Sequence, residues 1–519
     1  MSTESTFRNE PALEFRRESV RAQALRALAE LRTKLPLRIG PASGASASGE
    51  LLSYNPANPA ELIAVAPDGS AADARAALVR ADAAFASWSA LDAGTRAATL
   101  QRAAGLLRER RLELAALEVL EAGKPWPEAD ADVCEAIDFL EYYALGALAL
   151  DQGRLLPQLP GERNTLRYYA RGPHAVIAPW NFPMAIPAGM VSAALVTGNT
   201  VVFKPAEQTP ACGHALVQAL HSAGVPEDAL VLLTGADEPA RELVAHPLVH
   251  GIAFTGSCAA GQHIIHAAAQ AQPGQRHVKR VIAEMGGKNC IIVDADADLD
   301  DAVPAIIKSA FGFAGQKCSA AARVLVCEQI ADALNERLAG AIQALRVGPA
   351  EDFACDLATV IDAEALARIN AFLDGAEHEP RVQAEVPVGT GGHYVPPTLF
   401  VDLPPSSRIV REEVFGPVLS SERVASVDEA VRIVQEGDFG LTGGLFSRSP
   451  QTIEHVSRLG IVGNLYVNRE ITGAMVGRHP FGGGRLSGTG PKAGGPDYLL
   501  TFVEARSVSE NTVRHGLVI

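Results

Sequence analysis

The chain has 519 residues, 48% of them apolar and 5% aromatic, with a formal net charge of −15. This length is more than one hydrophobic core holds, so two or three domains are expected, and the acidic balance argues against nucleic acid or an anionic membrane as partner. Seven cysteines, without a CxxC pair or regular spacing, signal neither a disulfide scaffold nor a zinc site and suit a reducing, cytoplasmic location.

Residues 1–9 are polar and carry no apolar h-region, so no secretory signal is expected. Residues 16–34 predict a helix, with Leu25, Leu28 and Leu31 at helical spacing. Residues 43–49 read as a small-residue linker, and 51–66 as strands around the turn at 55–59. Three helices are expected at 70–88, 95–120 and 128–150, with Gly123-Lys124-Pro125 as a glycine cap before proline. Residues 163–171 read as an extended arm in which Leu166, Tyr168 and Ala170 alternate with polar residues.

From Gly172 to Phe203 there is no Asp, Glu, Lys or Arg, long enough to span a bilayer. Pro173, Pro179, Pro183 and Pro187 break any single helix there. The segment reads instead as a strand at 176–178, a loop, a buried helix at 188–196 and a strand at 201–203. Strand-like and helical runs then alternate to residue 294, which predicts a parallel sheet with crossover helices. A second such region runs from 302 to about 465, followed by a glycine-rich loop at 482–495 and an edge strand at 502–508. The fold class is α/β.

Several residues carry chemistry. Cys318 stands among small residues just after Lys317, and Glu284 precedes it on a turn flanked by Gly286 and Gly287. A thiolate that attacks a carbonyl and a base that later activates water are what acyl transfer on an aldehyde needs. The other six cysteines read as inert thiols. Phe254-Thr255-Gly256-Ser257, with Gly261 beyond, ends a strand and opens a helix, where free N–H groups can meet a pyrophosphate. Read alone, Gly256 is a turn glycine, Asn181 a backbone-satisfying amide and Lys204/Glu207 a solvated ion pair. His246/His250 and His263/His266 invite a metal reading, but Pro247 spoils the first pair and the second lacks an acidic ligand, so no metal is expected.

Taken together these segments resemble the aldehyde dehydrogenase superfamily. Pro179-Trp180-Asn181-Phe182-Pro183, Lys204-Pro205-Ala206-Glu207, Phe254-Thr255-Gly256-Ser257, Glu284-Met285-Gly286-Gly287, Gly315 to Ala320, Glu412 to Pro417 and Pro480-Phe481-Gly482-Gly483 stand in superfamily order. The resemblance implies Cys318 as nucleophile, Glu284 as general base, and Asn181 with the Cys318 N–H as oxyanion hole. It implies NAD as cofactor, held by Lys204, Glu207, Gly256, Ser257, Gly261, Glu413 and Phe415; a carboxylate at 207 would repel a 2′-phosphate. It also implies a Rossmann-like NAD-binding domain (1–152 and 172–289), a catalytic domain (290–483) and a small β oligomerisation element (153–171 and 484–519). A homo-oligomer, at least a dimer, is then expected.

The C-terminal run Asn468 to Pro496, with Glu121 to Trp126, Glu135 to Phe139 and Pro273-Gly274-Gln275, resembles the L-glutamate γ-semialdehyde dehydrogenases. In that reading Ser319 and the backbone of Gly473 and Ala474 bind the α-carboxylate of a small-molecule semialdehyde. Phe182 and Phe481 flank its aliphatic carbons, and Glu135 lies near its amino end. About fifty residues precede the dehydrogenase part, too few for a barrel of ~250 residues such as bifunctional relatives carry upstream. A single activity is expected. Another semialdehyde dehydrogenase of the superfamily, or a catalytically silent relative, are the alternatives.

Overall fold

Five parallel strands form the first sheet, in the order Leu230–Leu232, Val201–Lys204, His174–Ile177, Gly251–Thr255 and Arg280–Glu284. The structure is a computed structural model describing residues 7–40, 49–389 and 391–513. The expected linker at 43–49 lies outside these residues except for Gly49, and the polar start except for 7–9. Chain order reverses between His174–Ile177 and Gly251–Thr255. In open α/β sheets the crevice beyond the strand ends at such a reversal is where ligands bind.

The charge-free stretch resolves into a strand, a loop, the helix Ala185–Val196 and a second strand. All but one of the helix residues are buried, because it packs between the sheet and the long helix Trp126–Asp151. A helix that is apolar all round belongs in a core. Among the described residues no helix is long and apolar enough to cross a membrane.

A second sheet of seven strands runs Val382–Gln383, Thr398–Val401, Val418–Val424, Ala321–Cys327, Asn289–Val293, Thr442–Phe446 and Asn464–Val467. Only the first of these is antiparallel to its neighbour. Glu162–Ala170 pairs along its whole length with Val503–Asn511 in a two-stranded ribbon. The expected arm and edge strand are therefore partners.

Two local expectations are corrected. The first helix, Glu18–Arg32, buries Ala24, Leu28 and Leu31, while Leu25 is 47% exposed. The single helix expected over 95–120 is two, Ala93–Glu109 and Arg111–Glu121. No Gly or Pro marks the break. Arg110 leaves helical geometry at φ −97° and ψ 11°, and Arg111 forks onto Asp130 through bonds of 2.6 and 2.8 Å. This pair is buried and also accepts the Leu13 N–H on Asp130. Arg111→Ala strands a buried carboxylate, so a loss of about 3–5 kcal/mol is expected. Urea denaturation of the variant beside wild type measures it, and a loss under about 1 kcal/mol would reject the pair as an anchor.

Candidate active site

Cys318 follows a strained loop. Phe313, Ala314 and Gly315 take φ of 51°, 53° and 70°, the left-handed region that side chains avoid. A Cβ on Gly315 would lie 2.3 Å from the Gly416 carbonyl, so only glycine allows this close approach. Gln316, fully buried, ties the loop to its surroundings: its amide donates to the Phe313 and Thr359 carbonyls and accepts from Ile361 N–H. Asn289 Nδ2 donates to the Cys318 carbonyl at 2.7 Å and to the Ala320 carbonyl at 2.9 Å. Lys317 is buried against Glu128 at 2.7 Å. Together these hold Cys318 between two walls.

Asn181 Nδ2 donates to the Gln316 carbonyl at 2.9 Å. An amide nitrogen has two hydrogens, so one stays free. The Cys318 N–H makes no hydrogen bond among the described residues. Two donors are thus available beside the sulfur, as an oxyanion hole requires. Burial pushes the Cys318 thiol up to about 12, with the carboxylates of Glu284, Glu413 and Glu135 adding to the effect and the Ser319 N–H opposing it.

A cleft of about 520 Å³ opens beside Cys318. It is lined by Asn181, Glu207, Gly256, Ser257, Glu413 and Phe415 of the predicted set, and by Gln208, Asp362 and Arg368, which the sequence reading missed. Ser257 caps the helix Cys258–Ala269 by accepting the Ala260 N–H. Glu413 is half-buried at the cleft wall and accepts the Gly287 N–H at 2.9 Å; loss of solvent around it raises its pKa. Phe415, at φ 51°, stands edge-on to Trp180 at 5.7 Å. Lys204 does not line the cleft; its buried Nζ lies 3.5 Å from Glu207, and burial lowers its pKa. Gly261 does not line the cleft: a Cβ there would meet Met285 Sδ at 2.4 Å, so it serves helix-to-strand packing. Strand ends, a helix N-terminus and a half-exposed carboxylate at 207 are the features a dinucleotide without a 2′-phosphate needs.

Glu284 ends its strand and is absent from the cleft lining. Its carboxylate faces the glycine-rich loop, with Gly483 N–H 3.4 Å from Oε2. A Cβ on Gly482 or Gly488 would come within 2.9 or 3.1 Å of it. Oε1 is buried without a partner among the described residues. Burial pushes the acid up to about 8, against the lowering pull of the Gly483 N–H and Lys492. A carboxyl poised there is a base near neutral pH.

The remaining predicted residues come from four segments. Glu135, on the helix Trp126–Asp151, is pushed up to about 8 by burial, then by Asp132, with Lys124 opposing. Phe182 follows Asn181. Ser319 is buried beside the sulfur, its carbonyl accepting from Thr442 Oγ1. Phe481 exchanges two backbone bonds with Ala493. The N–H groups of Gly473 and Ala474 make no hydrogen bond among the described residues, and Gly473 has φ +74°. Tyr466 was not foreseen; Cys318 and Glu135 both push its hydroxyl up, though less than burial does. Asn289 and Gln316 were missed as well, since an amide's partners lie across the fold and no local pattern marks them.

The parallel sheet, the crevice at its reversal and a cleft lined by Cys318 and Asn181 are the arrangement of an NAD-dependent aldehyde-oxidising enzyme. Residues 44–508 match the aldehyde dehydrogenase family, and the chain belongs to it. A 1-pyrroline-5-carboxylate dehydrogenase of Geobacillus kaustophilus is 42% identical over 513 residues, covering 97% of this chain and 99% of the relative. The 1-pyrroline-5-carboxylate dehydrogenase of Thermus, solved with bound NAD, matches at a TM-score of 0.94 and 40% identity over 98% of this chain and 100% of that one. Proline utilization A from Bdellovibrio bacteriovorus matches at a TM-score of 0.96 and 44% identity over 98% of this chain. The chain spans about half, 54%, of that longer protein.

Proposed function

We propose that the protein oxidises L-glutamate γ-semialdehyde, in equilibrium with Δ1-pyrroline-5-carboxylate, to L-glutamate with NAD, the second step of proline degradation. The observation that carries the reading is the pair of unbonded N–H groups at Gly473 and Ala474 together with Ser319 beside the nucleophile. These suit a carboxylate at the far end of an aldehyde. The two 1-pyrroline-5-carboxylate dehydrogenases named above, covered almost end to end, support the same substrate.

The chemistry follows from the geometry. Cys318 Sγ bonds to the aldehyde carbon as its proton passes to solvent water in the open cleft, and the carbonyl π electrons move onto oxygen. The Asn181 amide and the Cys318 N–H hold that oxyanion. Glu207, Ser257 and Glu413 would hold NAD, which would supply the hydride acceptor; loss of that hydride from the carbon leaves a thioester on Cys318. Glu284 takes a proton from water, the water oxygen bonds to the carbon, and the carbon–sulfur bond breaks. Glutamate leaves with its new carboxylate, and Cys318 recovers its proton.

We assign the NAD-binding role to 1–152 and 172–289, and the catalytic role to 290–483. The ribbon of Glu162–Ala170 and Val503–Asn511 exposes Tyr169 and Val508, which supports its use in joining at least two copies. Seven unpaired cysteines support a cytoplasmic location.

Steady-state NADH production across a panel of semialdehydes and simple aldehydes tests the substrate. A preference for succinate semialdehyde over the glutamate compound would overturn it. Ser319→Ala is expected to lower kcat/KM for glutamate γ-semialdehyde about 10- to 100-fold relative to propanal, the loss of one charge-assisted hydrogen bond of about 1.5–3 kcal/mol. Equal losses on both substrates would remove Ser319 from the anchor. Gly473→Val is a poorer probe than the sequence suggests. A Cβ at 473 meets nothing within 4 Å, but the φ of +74° strains any side chain there.

A further inference from the structure

A buried charge that the reaction above does not use lies against the aromatic wall. Gly123, at φ +64°, turns the chain inward, and the Lys124 side chain that follows is fully buried. Its Nζ lies 2.6 Å from Asp132 Oδ2 and 3.4 Å from Glu118 Oε2. The same Nζ sits 3.9 Å from the centroid of the Phe182 ring and 5.4 Å from that of Phe313. A desolvated ammonium over an aromatic face is attracted by the ring quadrupole. As a device for stability alone this arrangement is poor, because well-packed apolar side chains do as well or better than a buried ion cluster. Its position is more informative than its charge.

The two rings belong to the two segments that carry the chemistry. Phe182 follows Asn181, the oxyanion donor, and the same segment is gripped three residues on, where Ala185 N–H donates to Asp132 Oδ1 at 2.7 Å. Phe313 opens the left-handed run of 51°, 53° and 70° that turns the chain into Gln316, Lys317 and Cys318. Asp132 and Glu128 stand one turn apart on the helix Trp126–Asp151, so one helix face holds Lys124 and, through Glu128, Lys317.

We infer that Lys124 is a positioning residue for aldehyde oxidation, its ammonium joining the Phe182 ring to the Phe313 turn so that the substrate wall and the nucleophile loop share one support. The inference rests on the proposed substrate only in taking Phe182 as a wall of its pocket. Removing the cation lets the two segments drift independently, and misplacement by about 1 Å costs on the order of 10²-fold in rate.

Lys124→Met alone strands Asp132 and risks misfolding, so the test uses Lys124→Met with Asp132→Asn; the third group, Glu118, is a carboxyl that burial holds well above the usual range and so keeps its proton without the cation. The readout is kcat/KM per NAD-binding site, counted by calorimetric titration with NAD, so that a loss of folded protein does not register. Phe182→Leu is made alone and on that background. The expected result is a loss of about 10²-fold in the neutralised variant, with Phe182→Leu costing little more when added to it, because both act through one contact. A value within about threefold of wild type, or losses from the two changes that multiply independently, overturns the inference. If wild type oxidises propanal but not glutamate γ-semialdehyde, the substrate reading fails by itself, and the same cycle run on propanal still decides the role of Lys124.

Discussion

Cys318→Ala is expected to abolish aldehyde oxidation, with a loss on the order of 10⁴-fold or more, while NAD binds almost as before. Among the described residues that line the cleft, Cys318 carries the one thiol. The groups assigned to the cofactor, Glu207, Ser257 and Glu413, stand elsewhere on the cleft wall and are held by contacts that do not involve Sγ. Cys318→Ser is expected to be nearly as poor, since a hydroxyl keeps its proton more firmly than the thiol it replaces and is the weaker nucleophile. Calorimetric titration with NAD beside steady-state NADH production separates the two effects. Residual turnover above about 1% of wild type in Cys318→Ala would show that the nucleophile is misassigned. The remaining six cysteines are also raised, chiefly by burial, and none of them lines the cleft.

How much of this was legible beforehand depends on the range of the interaction involved. The helix Ala185–Val196 and its flanking strands could be read because a charge-free run broken by prolines has few other outcomes in a folded chain. The pairing of the arm with the C-terminal strand, register included, was not available, since it joins residues more than 330 apart, as Arg171 and Glu504 show. The break at Arg110 was hidden for the same reason: a buried bond from Arg111 to Asp130, not a local breaker, ends the helix. Motifs brought out Cys318, Asn181 and Glu413. They could not bring out Asn289, whose amide fixes the nucleophile from a neighbouring strand, nor Lys124, which in sequence is only the middle of a Gly-Lys-Pro turn. Gly261 shows the converse. It belongs to the cofactor motif by sequence, yet its lack of a side chain is required by Met285 and Phe254.

Glu284→Gln is expected to slow turnover by about 10³-fold through thioester hydrolysis alone, the contribution of one general base. Glutamine keeps the shape of the side chain and can still meet the Gly483 N–H, but it cannot take a proton from water. Rapid mixing should therefore give a burst of NADH close to one equivalent at a near wild-type rate, followed by a slow steady state. In wild type the steady state should rise with pH through about 8, where burial has placed the Glu284 carboxyl, and that rise should vanish in the variant. Stability carries an independent sign. The acid is raised from 4.5 to about 8 on folding, so the folded protein keeps a proton that the unfolded chain releases within that window. Wild type is therefore penalised as pH rises through the window, fully so above it, and the variant is not. Relative to wild type, Glu284→Gln should gain stability between pH 5 and pH 9 in urea denaturation. A burst that slows in step with turnover would place Glu284 in the attack step instead of hydrolysis. A stability difference flat with pH would mean that the carboxyl is already ionised in the folded protein, with its charge met by Lys492 and the amides of the glycine-rich loop.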